Sequence, residues 1–199
     1  ALYEIHLNEL SPRRARLLRA LGGVTGTECD YLKQIQTKET ADVILTNPPW
    51  GKYSTGKYGA PISLGFVPGD VAERFVAKSV RDLKPGGRLA AIMPTTMLGA
   101  GGRPFRQFLA KHGTVRAIIQ SPPGAYRTRA TDVDSVLLVW DKTPGGEPGR
   151  VIDTASWDAY AEAIEAVPPR EVRHAEPERP VAQPAVGRPP SPTRPTPIV

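Results

Sequence analysis

Asp42-Val43-Ile44-Leu45-Thr46-Asn47-Pro48-Pro49-Trp50 is the stretch that decides the fold. Val43 to Leu45 is a brief, continuous apolar run, the kind that suits a strand buried on both faces of a parallel sheet. It leads directly into two prolines, which fix φ and stiffen the turn that follows. In open α/β sheets ligands bind at the carboxyl ends of the strands. Asn47 to Trp50 therefore stands where such a fold holds its substrate.

Outward from this stretch, strands and helices alternate. Ala1 to Glu9 reads as a strand, and Ser11-Pro12 as a helix N-cap with proline in first position. Leu17, Leu18 and Leu21 fall at helical spacing before Gly22-Gly23 stop the run. Val24 to Thr27 is a second strand. Beyond the tetrapeptide, Gly51 to Gly69 carries five glycines, two prolines and no acidic residue, which reads as a loop. Val71 to Leu83 places Val71, Phe75, Val76, Ser79, Val80 and Leu83 on one helical face, and Pro85-Gly86-Gly87 end it. Leu89 to Met93 is another buried strand, Arg103 to Lys111 a helix and Val115 to Ile119 a strand. Ser135 to Trp140 reads as the final strand. This order indicates an α/β fold with a parallel sheet.

The sequence has 199 residues, enough for one ordinary core. Residues 1–167 read as one domain, with Trp157 to Val167 as a short closing helix. Residues 168–199 hold 10 of the 22 prolines and read as a disordered or polyproline linker. The first residue is Ala1 and already sits in a strand-like run, so a piece of a larger protein is expected.

Lysine and arginine number 26 against 20 acidic residues, a net charge of +6 with a pI of 9.6. That balance favours an anionic partner, with nucleic acid the usual candidate. Cys29 is the sole cysteine, which excludes an intramolecular disulfide and a cysteine-built zinc site. His6, His112 and His174 are too dispersed for a local metal motif, and no metal is expected. No apolar run approaches the ~20 residues needed to span a bilayer. The expectation is a cytoplasmic protein that does not enter a membrane.

The tetrapeptide has the chemistry to act on an exocyclic amine such as adenine N6. Such an amine is a poor nucleophile because its lone pair is delocalised into the ring. The Asn47 side-chain carbonyl and the Pro48 backbone carbonyl can accept its two N–H bonds and localise the lone pair. Pro48 and Pro49 hold these acceptors in place before reaction. Trp50 offers a face on which a base taken out of the helix can stack. The alternative is a rigid turn with a buried tryptophan.

These residues, with Leu83-Lys84-Pro85-Gly86-Gly87-Arg88-Leu89 and Ile92-Met93-Pro94, resemble the catalytic half of the S-adenosylmethionine-dependent amino-adenine DNA methyltransferases. His6-Leu7-Asn8-Glu9-Leu10, Arg14-Ala15-Arg16-Leu17-Leu18 and the stretch from Ala125-Tyr126 to Asp141 resemble, more narrowly, the methylase domain of bacterial strawberry-notch-like proteins. In those proteins a proline-rich segment leads to a helicase-like ATPase. The resemblance spans roughly residues 2–170. It implies a Rossmann-like methyltransferase fold, a mostly parallel sheet with an antiparallel last strand. It also implies S-adenosylmethionine as cofactor, DNA as partner and a restriction-modification setting.

Carried over by resemblance, Glu9 matches the acid that takes the cofactor's ribose hydroxyls, with Glu4 as the competing acid in mid-strand. Asp30 matches the acid that meets the cofactor's adenine amino group, or else is a turn residue. Cys29 and Tyr31 match ring contacts. Asn47, Pro48, Pro49 and Trp50 carry over as catalytic residues, with Asn47 also near the cofactor. The family's first strand and its glycine-rich cofactor motif would precede Leu2 and are missing here. Gly22-Gly23 and Gly99 to Gly102 do not replace them.

Lys52, Tyr53, Lys57 and Tyr58 interleave charge with aromatic rings beside the tetrapeptide. That composition suits phosphate contact and base stacking, or an ordinary surface loop. Arg103, Arg106, Arg127 and Arg129 extend a candidate basic rim. The functions that compete with adenine methylation are a catalytically degenerate DNA-binding module of a helicase-type protein, and amino-group methylation of RNA or of a protein glutamine.

Overall fold

The computed structural model describes residues 4–20, 22–34, 39–52, 66–125 and 134–170. β1 (Ile5–Glu9) and β2 (Val24–Glu28) pair in parallel through α1 (Pro12–Ala20), with Ile5 opposite Val24 and Glu9 opposite Glu28. The strand-helix-strand order is the one expected, but the apolar spacing of the helix does not become a core. Ala15 is buried, while Leu17 is 63% exposed. A sheet of two strands is too narrow to cover a helical face.

β3 (Ala41–Thr46), β4 (Leu83–Pro94), β5 (Thr114–Gln120), β6 (Ser135–Asp141) and β7 (Arg150–Ile152) form a second sheet in the order β3-β4-β6-β5-β7. β3 with β4 and β5 with β7 are parallel, and β6 is antiparallel to both β4 and β5. Four strands therefore run one way and β6 runs against them. β6 is the expected antiparallel strand, but β7 follows it, so it is not the last. Three residues are too few for β7 to show a period in the sequence.

Strand alternation sorts side chains onto two faces. On the first, Leu89, Ala91 and Met93 of β4 join Ile118 of β5 and Val136, Leu138 and Trp140 of β6. They pack under α2 (Val71–Asp82) and α3 (Arg103–His112), which supply Ala72, Val76, Phe105 and Leu109. The indole N–H of Trp140 donates to the Leu109 carbonyl at 3.1 Å and ties sheet to helix. On the second face Ala117, Ile119 and Val139 meet Ala163 of α4 (Trp157–Glu165).

The second face is bare over β3, and this corrects the expectation of a strand buried on both sides. Ile44 packs on the first-face core, whereas Val43 is 50% and Leu45 78% exposed. The reason is coverage: α4 lies on β5, and among the described residues no helix reaches the second face at β3. β3 pairs only with β4, so its other edge is also unpaired among the described residues.

After α4 the chain crosses the sheet. Arg88 donates to the Pro168 carbonyl at 2.8 Å, and Arg170 donates to the Asp42 carbonyl at 3.0 Å. Residues 171–199, the bulk of the expected linker, lie outside the described residues.

Candidate active site

β3 ends at Thr46, and Asn47, Pro48, Pro49 and Trp50 follow at its carboxyl end. Asn47 is exposed, Pro48 buried, Pro49 exposed and Trp50 half-buried against the first-face core. The Trp50 indole N–H donates to the Ile92 carbonyl at 3.3 Å, just beyond the last β3–β4 pair, Thr46 with Ala91. The tryptophan thus caps a strand carbonyl left without a neighbour where the prolines end β3.

Asp70 holds the chain that leaves the tetrapeptide. Its side chain accepts from the Gly51 N–H at 3.0 Å and from the Ala72 N–H at 2.7 Å, so one carboxylate fixes the loop and caps α2. Glu73 accepts from the Gly69 N–H at 2.7 Å and from the N-cap N–H of Asp70 at 3.4 Å, and the second bond completes a capping box. Burial pushes the Glu73 carboxyl above its usual range, and the two backbone N–H groups oppose that shift. Lys52 bridges to Asp70 in antiparallel fashion. Lys52 therefore stands against the α2 cap, and the Phe66 ring lies 5.0 Å from that of Phe108. The sequence signal for this anchor is Asp70 with Glu73 three positions on, ahead of an apolar helix.

The residues matched to the cofactor lie at the carboxyl ends of β1 and β2. Glu9 Oε1 accepts from Arg14 at 2.8 Å and from the Ser11 N–H at 2.8 Å. The Arg14 hydrogen bond, followed by that of Ser11, holds the Glu9 carboxyl below the usual range. Asp30 caps the short turn Tyr31–Lys33, accepting from the Leu32 N–H at 3.0 Å, and stands 3.6 Å from the Lys33 ammonium. Cys29 donates through its thiol to Asn8 Oδ1 at 3.0 Å, and Asn8 donates back to the Cys29 carbonyl at 3.2 Å. Gln34 donates to the Cys29 sulfur at 2.8 Å. A polar network thus ties the end of β1 to the end of β2.

Tyr31 turns away from that network into α2. Its hydroxyl donates to Asp82 at 2.7 Å and lies 3.1 Å from Ser79 Oγ, while the Lys78 ammonium sits 3.6 Å above its ring. Burial, then the Asp82 charge, pushes the phenol far above its ordinary range. The contacts of Glu9 and Asp30 stay within the β1–β2 unit, and those of the tetrapeptide run to β4 and α2. Helix α2 touches a neighbour of each group: Gly51, next to Trp50, through its N-cap Asp70, and Tyr31, next to Asp30, through Ser79 and Asp82.

Of the candidate basic rim, Arg103 is exposed at the start of α3. Arg106 instead donates to the Gly99 carbonyl at 2.8 Å and to that of Met97, and so secures the turn after β4. Tyr53, Lys57, Tyr58, Arg127 and Arg129 lie outside the described residues. Among the described residues no group of three or more His, Cys, Asp or Glu side chains could hold a metal ion. No helix there is long and apolar enough to cross a membrane.

Comparison with known proteins matches residues 23–125, just over half of the chain, to the family model described as Eco57I restriction-modification methylase. A curated relative, the type I restriction enzyme StySPI methylase subunit of Salmonella potsdam, is 30% identical over 134 residues. That match covers 65% of this chain and 23% of the relative, so the chain spans about a quarter of its length. A Listeria monocytogenes protein assigned as a class I S-adenosylmethionine-dependent methyltransferase superposes with a TM-score of 0.64 at 21% identity, over 82% of this chain and 54% of that one. The type I restriction-modification methyltransferase subunit of Streptococcus thermophilus gives a TM-score of 0.63 at 18% identity, over 80% and 41%. The α/β architecture, with its mostly parallel sheet, is the fold of these methyltransferases.

Proposed function

The chain belongs to the Eco57I restriction-modification methylase family, and from that premise we propose that it is catalytic sequence of an S-adenosylmethionine-dependent methyltransferase acting on adenine N6 in DNA. The observation that carries this reading is the placement of Asn47-Pro48-Pro49-Trp50 at the carboxyl end of β3, with Asn47 exposed and Pro48 buried. One acceptor faces outward while a proline seated in the fold holds the turn that presents it. Asn47 and the Pro48 carbonyl would accept the two amine hydrogens and build negative potential where the nitrogen becomes positive. Trp50, fixed through its N–H to Ile92, would present its ring to the flipped base.

The donor set fits the cofactor at its adenosine end. Glu9 is held ionised by Arg14 and Ser11, and an ionised carboxylate is the acceptor that a pair of ribose hydroxyls needs. Asp30, at the end of the neighbouring strand, would meet the adenine amino group, with Cys29 beside it. S-adenosylmethionine, when bound, supplies the electrophilic methyl group. Among the described residues the outer edge of β3 is unpaired and its second face bare, which supports one more strand-helix unit beside it, where the glycine-rich turn implied by the resemblance would lie.

DNA as the substrate is supported by the names of the family and of its relatives, and by the net charge of +6. Lys52, Tyr53, Lys57 and Tyr58 would meet it beside the tetrapeptide. The curated relative is a subunit of a type I restriction enzyme, which supports an assembly with further subunits. The narrower resemblance supports a helicase-like ATPase beyond the proline-rich segment 168–199. The deciding experiment is methyl transfer from labelled S-adenosylmethionine to adenine-containing oligonucleotides, with N6-methyladenine identified by mass. Methylated RNA or a methylated protein glutamine with no modified DNA would replace this reading. DNA binding with no cofactor binding would favour the degenerate module.

A further inference from the structure

Lys78 is a lysine in the middle of α2 with 1% of its surface exposed. Buried ammonium groups are expensive, and apolar side chains of the same volume fill such positions at lower cost. Nothing in the catalytic reading of Asn47 to Trp50 uses it. Its surroundings are specific. The ammonium stands 3.6 Å over the Tyr31 ring and 3.2 Å from Asp82 Oδ2, one helical turn on. That same oxygen accepts the Tyr31 hydroxyl at 2.7 Å, while Asp82 Oδ1 is buried without a hydrogen-bond partner. Ser79 Oγ lies 3.1 Å from the hydroxyl, and the Phe75 ring stands 5.6 Å from that of Tyr31.

These contacts grip one side chain from several directions. A cation lies over the ring, an aromatic ring lies beside it, and a carboxylate and a hydroxyl meet its oxygen. Tyr31 belongs to the turn whose first residue is Asp30, and its backbone is part of that turn's hydrogen bonding. The N–H groups of Leu32, Lys33 and Gln34 all donate to Asp30, at 3.0, 2.9 and 3.2 Å. Holding Tyr31 therefore holds Asp30. The opposite end of α2 holds the loop that follows Trp50, through Asp70 and the Gly51 N–H.

We propose that Lys78 is a positioning residue, which with Asp82 clasps Tyr31 and so sets the adenosine-binding turn at Asp30 relative to the catalytic tetrapeptide. The inference rests on the methyltransferase reading above and deepens it. Lys78 touches neither substrate nor cofactor and acts through Tyr31. Burial lowers the affinity of the ammonium for its proton, and the Asp82 charge opposes that change.

Replacing Lys78 alone would leave Asp82 as a buried unpaired charge and could unfold the chain. The test therefore uses Lys78→Met/Asp82→Leu, which removes both charges and keeps the volume, with Tyr31→Phe as the milder variant. S-adenosylhomocysteine is titrated into each protein by calorimetry, thermal unfolding is followed, and amide exchange is read at Leu32, Lys33 and Gln34. The expected result is a dissociation constant raised about tenfold, the loss of a charge-assisted hydrogen bond. Exchange in the turn should be faster, with an unfolding temperature within a few degrees of wild type. Unaltered affinity beside a wild-type protein that binds the probe overturns the positioning role, as does exchange that is no faster. A wild-type protein that binds no probe overturns the cofactor reading, and with it the assignment of the clasp to that subsite.

Discussion

Trp50 combines two roles that one substitution can separate. Its indole N–H caps the Ile92 carbonyl at 3.3 Å, and its ring packs half-buried against the core under α2. Trp50→Phe removes the donor and keeps an aromatic face. A long neutral hydrogen bond is worth about 0.5–1.5 kcal/mol net. At about 2–4 °C per kcal/mol for a domain of this size, the unfolding temperature should fall by roughly 1–6 °C. Base stacking should survive, so the KM for an adenine-containing oligonucleotide should change less than about threefold. Trp50→Leu keeps apolar bulk and removes the face. Stacking is worth about 1–3 kcal/mol per base, so this variant should weaken substrate binding by about 5- to 150-fold. Thermal unfolding and steady-state methyl transfer on both variants make the comparison. If Trp50→Leu lowers the unfolding temperature like Trp50→Phe but leaves methyl transfer intact, Trp50 is a strand cap and the stacking role is wrong.

Asn47→Ala should reduce N6-methyladenine formation by at least about a hundredfold with an unchanged unfolding temperature, because Asn47 is exposed and supports no core contact; appreciable residual product would remove it from the mechanism. Arg14→Gln tests the ionisation of Glu9. Arg14 holds that carboxyl below its ordinary 4.5, so stability and any binding that need the carboxylate are present at neutral pH and are lost as pH falls through the lowered value. Without Arg14 that acid limb should move up toward 4.5, and S-adenosylhomocysteine titrations between pH 3.5 and 6, roughly a unit either side of the carboxylate range, will show whether it does. Arg88 grips Asp141 through two bonds of 2.7 and 2.9 Å, and Arg116 stands 3.5 Å away. Arg88→Met leaves Asp141, with 8% of its side chain exposed, to Arg116 alone. It should cost about 3 kcal/mol in denaturant unfolding without altering the oligonucleotide KM.

The central elements were legible because each carries its own period. Helix α2 was expected over 71–83 and spans Val71–Asp82; α3 was expected over 103–111 and spans Arg103–His112. β5 and β6 fell within two residues of their expected limits. β4 is longer than expected: Leu83 pairs with Ala41, regular pairing with β3 and β6 begins at Arg88, and between them Gly86 and Gly87, read with Pro85 as a stop, exchange backbone hydrogen bonds with Lys142 just past the end of β6. What the sequence hides is what depends on neighbours. The helical spacing of Leu17 and Leu18 says nothing about the width of the sheet beneath. The Asp30-Tyr31-Leu32 stretch reads as a turn, but the partner of the Tyr31 hydroxyl lies 51 positions away at Asp82. Asp70 was legible in principle, since an acid followed by Glu73 ahead of an apolar helix is a local signal.

β3 is the instructive disagreement. Val43-Ile44-Leu45 has the composition of a strand covered on both sides, and Ile44 fulfils it against the first-face core. Val43 and Leu45 share the opposite face and stand largely in solvent. Conflict between a local pattern and its surroundings marks either strain or an incomplete environment. Strain would show as distorted pairing along the exposed part of the strand, yet Val43 to Thr46 keep an unbroken parallel register with Arg88 to Ala91. The single irregularity lies earlier, between Ala41 and Val43. Composition, register and exposure agree if a further element of the protein lies against the second face of β3. In that position it would stand beside the strand that carries Asn47.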